Sequence, residues 1–195
     1  MRGIERLPCV SVARMDTAGF TANAGLDLAR AGKLIADYLG QLGHRRLAVI
    51  AESRSAVGAL LADGLGSDKV PAGFSLERLT VGDEPLAEGL LNWFGMPNCP
   101  TAAICGSDAI ALAVMHACAR QGIDVPGRMS IVGFGDTYLA RCVSPMLTSV
   151  RIPARRAGVA AAEYLLARLE GRASDVAELP IKLVVRASTG PPMLS

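Results

Sequence analysis

Polar and charged side chains follow three short apolar stretches of the sequence, and these side chains are the ones that could bind or transform a ligand. The stretches are RLAVIA, TAAIC and SIVGF, and the polar or charged residues that follow them are Glu52, Ser53, Arg54, Ser55, Ser107, Asp108 and Asp136. Hydroxyl and charged groups of this kind can hold a polyhydroxylated or anionic small molecule. If the stretches are parallel strands, their carboxyl ends meet at the edge of a sheet where ligands of open α/β proteins bind.

Each of these residues also has a purely structural explanation. Ser107 or Asp108 would serve as the N-cap of a following helix, a role worth about 1 kcal/mol. Asp136 could cap a turn. Residues 52–55 could belong to an ordinary solvated loop. The sequence leaves both explanations open.

Catalytic chemistry finds little support in the sequence. Gly133 and Gly135 follow a strand as in a dinucleotide-binding turn, but the third glycine is absent and Pro145 interrupts the helix which that motif requires. The two histidines, His44 and His116, do not provide a nucleophile with a matching base or a zinc site. We expect no catalytic residues, no metal and no cofactor, and we expect His44 to complement the dipole of the helix that precedes it.

Composition narrows the class of protein further. The net charge is +2 from 20 basic and 18 acidic residues, so this chain shows no electrostatic footprint for DNA. Five cysteines without a C-x-x-C pair predict reduced thiols, with Cys105 and Cys118 as small buried hydrophobes. The chain starts without a signal-peptide pattern and has no run of 18 apolar residues. These features predict a cytoplasmic protein that does not enter a membrane.

The hydrophobic period alternates between helical and strand-like values, which predicts an α/β fold with a doubly wound parallel sheet. One helix is predicted from the stripe Leu28, Ala31, Ile35, Tyr38 and Leu42, ends at Gly43 and precedes the strand RLAVIA. A second helix carries Ala111, Val114, Met115 and Cys118, ends at Gly122 and precedes the strand SIVGF.

The remaining elements are assigned by the same criteria. LERLTV, TAAIC and LPIKLVVR are predicted strands, Pro85–Trp93 is a predicted short helix, and residues 60–74 predict at most a frayed one. PCVSVAR and FTANAGL are predicted as two strands joined by a turn. After Pro153, a helix is predicted from the stripe Ala157, Ala161, Ala162, Leu165 and Leu169.

Several of these segments together resemble a known family. LGHRRLAVI, PTAAICGSDAIALAVMHACARQGIDVPGRMSIVGFGD, SPMLTSVRIPARRAGVAAAEYLLARLEG and LPIKLVVRAST occur in the order and at the spacing found in bacterial transcription regulators of the lactose-repressor/galactose-repressor (LacI/GalR) type. The resemblance extends from about Leu7 to Thr189. It implies a periplasmic-binding-protein-like fold of two lobes, with a small-molecule effector in the cleft between them.

The resemblance also implies a domain organisation. It predicts a complete C-terminal lobe over residues 27–150, a remnant of the N-terminal lobe over 1–26, a crossover helix within 151–176 and a final strand and tail over 177–195. Family members carry a DNA-reading helix-turn-helix before these segments, and we expect that element to be absent from this chain. DNA would then be a partner only through a domain outside it.

The predicted pocket departs from the family pattern at five positions. Leu60 stands where an arginine is frequent, Glu84 where an aromatic residue is common, and Ser107 where an asparagine or equivalent is usual. Gly135 replaces the ligand-binding aspartate, leaving Asp136, and Ile152 replaces a frequent glutamine. The resemblance therefore implies an effector site around Ser53, Arg54, Ser55, Glu84, Ser107, Asp108 and Asp136, without assigning a particular sugar.

The leading hypothesis is the effector-binding and dimerisation core of a LacI-type regulator. The alternative is a non-regulatory solute-binding protein of the same fold, and a third class is an enzyme that uses the turn 133–136 on a nucleotide. A mean hydropathy of +0.34 and strands from an incomplete lobe predict a homodimer that packs through the C-terminal lobe. In that dimer, the N-terminal remnant would be exchanged between chains or poorly ordered.

Overall fold

A computed structural model describes residues 10–11, 22–23, 28–52, 57–58, 61, 64–65, 74–81, 90, 92–94, 98–172 and 179–193. Its elements follow in the order β1 (Val10–Ser11), β2 (Ala22–Asn23), α1 (Leu28–Gln41), β3 (Arg46–Glu52), β4 (Ser75–Val81), β5 (Ala102–Cys105), α2 (Asp108–Arg120), β6 (Ser130–Gly135), α3 (Leu139–Cys142), β7 (Thr148–Arg151), α4 (Ala154–Leu169) and β8 (Lys182–Val184). Residues 57–58, 61 and 64 are helical, as are 90 and 92–94. Leu65 lies in a turn and Phe74 directly precedes β4, while the remaining residues of the predicted segments 60–74 and 85–93 lie outside the described residues.

The chain divides into two compact units. The smaller unit contains residues 1–28 and 153–181, and the larger contains residues 29–152 and 182–195. The helix after Pro153 therefore groups with the first residues of the chain, and the chain passes between the units three times. The division into lobes at residues 26 and 150 stays a prediction.

A six-stranded sheet forms the centre of the larger unit, in the order β4-β3-β5-β6-β7-β8. The first five strands run parallel, while β8 pairs with β7 in the antiparallel direction. The predicted α/β architecture is confirmed, but the strand predicted from LPIKLVVR covers only Lys182–Val184 and is an antiparallel edge. An antiparallel edge strand on an otherwise parallel sheet is a common arrangement in doubly wound folds.

Both faces of the sheet are covered, as a doubly wound fold requires. Successive side chains of a strand point to opposite faces, and Ala48 and Ile50 pack into the cluster that contains Val114 and Cys118 of α2. Leu47 and Val49 alternate with them, point to the other face and are also buried. The helix α1 contributes a buried stripe to the same unit, comprising Ala31, Ile35, Ala36 and Leu39.

The predicted helix ends and the buried thiols are confirmed. Gly43 and Gly122 have φ angles of 100° and 69°, so each takes the left-handed conformation that ends a helix and favours glycine. Cys105 and Cys118 are fully buried and free. Burial raises the pKa of the Cys118 thiol to about 11, which keeps it protonated and unreactive.

Two predictions about the smaller unit are wrong. β1 and β2 pair in the parallel direction, so they do not form a hairpin closed by a tight turn. The buried face of α4 consists of Ala157, Ala161, Tyr164 and Ala167, whereas Ala162 and Leu169 of the predicted stripe are exposed. An Ala-rich helix carries apolar residues all round, so its hydrophobic period does not single out the buried face.

The prediction that His44 is a cation at a helix end is also wrong. His44 is fully buried at the amino end of β3. Its Nδ1 lies 2.8 Å from Thr101 Oγ1, and its Nε2 lies 2.9 Å from the carbonyl oxygen of Gly190 and 3.1 Å from Ser130 Oγ. Burial lowers the pKa of His44, and the hydrogen bond to Gly190 offsets only part of that effect. The neutral ring therefore donates from Nε2 to Gly190 and accepts at Nδ1 from Thr101.

This assignment predicts a pH-dependent stability. The pKa of His44 in the folded chain lies below the value of about 6.5 for an unfolded histidine, so the unfolded chain takes up a proton first as the pH falls. The His44 contribution is constant above pH 7 and is lost below about 6.5 with a slope of up to about 1.4 kcal/mol per pH unit. Urea unfolding between pH 7.5 and 5 measures this effect. The free energy of unfolding should fall less steeply with decreasing pH for His44→Gln than for wild type.

The matched control is His116→Gln, which changes an exposed histidine of α2 and keeps the buried one. The pH dependence of the free energy of unfolding of this variant should still include the His44 contribution. Identical slopes for wild type and His44→Gln would show that His44 is not held neutral by the fold.

Candidate functional site

The carboxyl ends of β3, β5, β6 and β7 lie at one edge of the sheet, because these four strands are parallel. The residues at this edge include Glu52, Ser107, Asp108, Asp136 and Arg151. The side chain of His44 lies at the opposite edge, among the amino ends of β3, β5 and β6. The edge predicted to bind a ligand is therefore separate from the histidine network.

Ser107 has the capping role that the sequence left open. It has an extended backbone with φ of −155°, and its Oγ accepts a hydrogen bond from the backbone N–H of Ile110 at 3.2 Å. Its hydroxyl satisfies one of the N–H groups that the first turn of α2 cannot pair internally. Ser107 is half-buried, so it remains at the edge.

The Asp108 carboxylate connects three elements inside the protein. Its Oδ2 accepts from the backbone N–H of Thr137 at 2.6 Å and from the Thr137 hydroxyl at 2.7 Å, while Oδ1 accepts from the Ser149 hydroxyl at 2.6 Å. Ser149 Oγ in turn accepts from the backbone N–H of Asp136 at 3.0 Å. Asp108 thus ties the start of α2 to the turn after β6 and to β7.

The glycines of the turn 133–136 make room for this carboxylate. A Cβ on Gly133 would stand 2.5 Å from Asp108 Oδ1 and 2.7 Å from Leu147 Cδ2. Gly135 has a φ of 125°, which side chains rarely allow. The two glycines of the Gly-Phe-Gly pattern are therefore required by contacts within the protein and need no bound phosphate to explain them. This argues against the nucleotide-binding interpretation.

Asp136 forms an ion pair with two arginines. Its Oδ2 lies 2.6 Å from Arg151 Nε and its Oδ1 lies 2.5 Å from an η nitrogen of Arg186. Burial alone would raise the pKa of this carboxyl, but the hydrogen bonds and charges of Arg186 and Arg151 outweigh it and hold the pKa below its ordinary value. Asp136 also adopts a positive φ of 49°, a conformation that aspartate tolerates better than most residues.

Of the seven predicted effector-binding residues, the structure brings Asp108 and Asp136 close together and places Ser107 beside them. Ser53, Arg54, Ser55 and Glu84 lie outside the described residues. Sequence reasoning missed four partners that hold this edge, namely Thr137, Ser149, Arg151 and Arg186. The sequence did carry one signal for such partners. Thr148 and Ser149 are adjacent polar residues within a buried strand, so their hydroxyls indicate hydrogen bonds to other parts of the fold.

No membrane-spanning helix occurs in the part of the chain that the structure describes. Within the same residues, no group of three or more His, Cys, Asp or Glu side chains is arranged to hold a metal ion.

The two arginines should contribute unequally to stability. The Arg186 side chain is 10% exposed and the Asp136 side chain 1%, so Arg186→Ala leaves a buried carboxylate without its buried partner. The expected loss in the free energy of unfolding is about 3–5 kcal/mol. Arg151 is 53% exposed, and Arg151→Ala should cost only about 0–1 kcal/mol. Urea unfolding at pH 7 measures both, and equal losses would contradict the buried-pair assignment.

Comparison with known proteins agrees with this architecture. The family of periplasmic binding protein-like domains matches residues 36–189. The HTH-type transcriptional regulator GntR of Pseudomonas aeruginosa is 29% identical over 192 residues, covering 94% of this chain and 56% of that protein. The arabinose metabolism transcriptional repressor of Geobacillus stearothermophilus is 30% identical over 177 residues, covering 84% of this chain and 48% of that protein.

A solved structure supports the same relationship. The LacI transcriptional regulator of a Rhodococcus species is 31% identical with a TM-score of 0.77, and the match covers 94% of this chain and 70% of that one. The chain spans about half the length of the curated relatives named above. These relatives are transcriptional regulators, so the alternative of a non-regulatory solute-binding protein is not favoured. The chain belongs to the periplasmic-binding-protein-like family, as an effector-binding core of the LacI type.

Proposed function

We propose that this chain senses a small molecule for a bacterial transcription regulator and catalyses no reaction. The observation that supports the site most directly is the strand order. β4 lies on one side of β3, and β5, β6 and β7 follow on the other, so the order reverses between β3 and β5. Open α/β sheets bind ligands in the crevice outside such a reversal. The chain leaves β3 at Glu52 and enters α2 through Ser107, which places both at this crevice.

The residues at the crevice favour binding over catalysis. Asp108 and Asp136 are engaged in internal hydrogen bonds and ion pairs, and His44 lies at the far edge of the sheet. A general base must reach the proton that it removes, and a nucleophile needs such a base beside it. Among the described residues at this edge, the geometry supports neither role. The crevice is therefore proposed as a recognition site.

The proposed effector is a polar small molecule such as a sugar or a related metabolite. One relative is an arabinose metabolism repressor, and a LacI family regulator from Enterococcus faecalis with 24% identity has a structure with bound ribose. In the whole protein, effector binding would shift the population between two conformations that differ in affinity for DNA. DNA would be bound by a segment outside this chain, in the cytoplasm.

A thermal-shift screen on the full-length regulator tests this function. Pentoses, hexoses, nucleobases and small acids are the compounds to screen, and an effector present at one hundred times its Kd should stabilise the protein by about 2.7 kcal/mol. The same compound should change the affinity of the regulator for its operator DNA. A panel in which no compound shifts Tm or DNA affinity would contradict the proposal.

A pair of variants assigns the effector to the proposed crevice. Glu52→Gln removes an exposed charge at the end of β3, and Glu77→Gln removes an exposed charge within β4, away from the crevice. A hydrogen bond to a charged group is worth about 1.5–3 kcal/mol, so the first variant should weaken effector binding about tenfold or more. The second should bind as wild type does.

We also propose that the chain is a homodimer that packs through its larger unit. Exposed large hydrophobic side chains in that unit include Tyr138, Leu139, Met146, Val185 and Met193, with exposures of 42–77%. The backbone N–H groups of Ala187 and Ser188 both bond to the carbonyl of Met146, which brings Met146 close to the segment that contains Val185. Apolar side chains gathered on a surface mark interaction sites more often than scattered ones do.

Sedimentation of the 195-residue chain measures this association. We expect a species of twice the 20.3 kDa chain mass at micromolar concentration. Met146→Glu together with Val185→Glu should weaken the dimer, because a charge is costly to bury at an interface core. Gln41→Glu, at an exposed position of α1, is the control and should leave association unchanged. A monomer throughout the micromolar range would contradict the proposal.

A further inference from the structure

Two basic side chains stand directly opposite each other where the sheet ends. Arg151 is the last residue of β7, Lys182 is the first residue of β8, and the two are partners in the antiparallel register. Directly opposed residues of an antiparallel pair project from the same face, with Cβ atoms about 4.5–5.5 Å apart. Like charges in this position are destabilising. A negative charge placed near both side chains would therefore relieve their repulsion.

Among the described residues, this repulsion is compensated only in part. Asp136 is the carboxylate bonded to Arg151, and it also neutralises Arg186. Asp108 is also close, but its hydrogen bonds go to Thr137 and Ser149 and to none of these cations. Among the described residues at this corner, two carboxylates thus stand against three cations, those of Arg151, Arg186 and Lys182. A surplus of positive charge remains at this corner of the sheet.

The surplus is carried by groups that are available to a ligand. Arg151 uses its Nε for Asp136, which orients the guanidinium, and its side chain is 53% exposed. Lys182 is exposed. Within the described part of the chain, the η nitrogens of Arg151 and the Nζ of Lys182 have no hydrogen-bond or ion-pair partner.

The position of the pair is also that of the proposed effector edge. β6 and β7 are parallel and end together at Gly135 and Arg151, and β8 begins opposite Arg151 because it runs in the reverse direction. Asp136, which follows Gly135, binds Arg151 directly. A ligand held at the carboxyl ends of these strands would therefore meet the η nitrogens of Arg151 and the Nζ of Lys182, which Asp136 does not use.

We propose that Arg151 and Lys182 bind a carboxylate or phosphate group, and that the effector of this protein carries such an anionic group. The inference rests on the proposed effector function and specifies its ligand class. A guanidinium presents two N–H groups in a plane that matches two oxygens of a carboxylate or phosphate, and the Lys182 ammonium adds a mobile point charge. The neutral hydroxyls of an unmodified sugar would leave the surplus charge uncompensated.

Inorganic phosphate is the first probe, with sodium chloride at equal ionic strength as the comparison. Phosphate should raise the Tm of the wild-type chain saturably, and chloride should not. Lys182→Glu places opposite charges across the strands, so it should raise Tm without phosphate and weaken phosphate binding about tenfold or more. Arg78→Gln removes an exposed cation from β4 at the other end of the sheet and should change neither property.

A phosphate response that is equal in wild type and Lys182→Glu, or equal to that of chloride, would overturn the proposed anion site. A second arm compares glucose 6-phosphate with glucose, because the first adds only the anionic group. Stronger binding of the phosphorylated sugar is expected in wild type, with the preference lost in Lys182→Glu. If neutral compounds bind and alter DNA affinity while phosphate fails, the effector function stands and the anion site is wrong. If phosphate binds at this pair but no compound alters DNA affinity, the anion site stands, the regulatory function fails, and the inference about the effector fails with it.

Discussion

The larger unit depends on one buried carboxylate. Asp108 is 1% exposed and accepts three hydrogen bonds, two from Thr137 and one from Ser149. A buried charge is tolerated only when donors replace the water that it has lost, so these donors must stay in place. They belong to the turn after β6 and to β7, and Asp108 itself begins α2. Three chain segments that are distant in sequence are thereby fixed at the edge where a ligand would bind.

Several features of the turn 133–136 follow from this constraint. Gly133 lacks a side chain because Asp108 and Leu147 occupy the space that a Cβ would need. The positive φ angles of Gly135 and Asp136 turn the chain sharply, and the backbone N–H groups of Asp136 and Thr137 then reach Ser149 and Asp108. The Asp136 carboxylate is left to bind Arg151 and Arg186. The turn is therefore shaped by internal contacts, even though it lies where ligands bind in this class of sheet.

The sequence predicted most of the larger unit because its elements have strong local signals. The period of α1, the glycine after it and the apolar strand RLAVIA identify one unit of the fold without any knowledge of distant contacts. The chain's outer strands are different, because the direction of β8 depends on where the chain re-enters the sheet. The prediction that a turn joins β1 and β2 was wrong for a similar reason. A short apolar segment does not encode its partner strand or the direction in which it pairs.

The candidate site was predictable only in part, and His44 shows why. Its place after a helix predicts a cation, but the decisive partners Thr101, Ser130 and Gly190 are distant in sequence. Arg186 escaped prediction similarly, because it lies 50 positions from Asp136. The residue types in the sequence indicated which edge of the sheet carries the polar side chains. The protonation of His44 and the pairing of Asp136 depend on contacts that only folding creates. For Asp136, those contacts convert an apparent ligand group into an internal counterion.

Buried and exposed polar groups also differ in how freely they can change between related proteins of the same fold. Buried groups such as Asp108 and His44 have all their polar atoms satisfied by neighbours, so changing one of them disturbs several elements at once. Exposed groups such as Arg151 and Lys182 have spare donors and can be exchanged at little cost to folding. Ligand choice can therefore change through a few exposed residues while the buried network is retained. The identity of the effector has to be sought in the charges that the fold does not use.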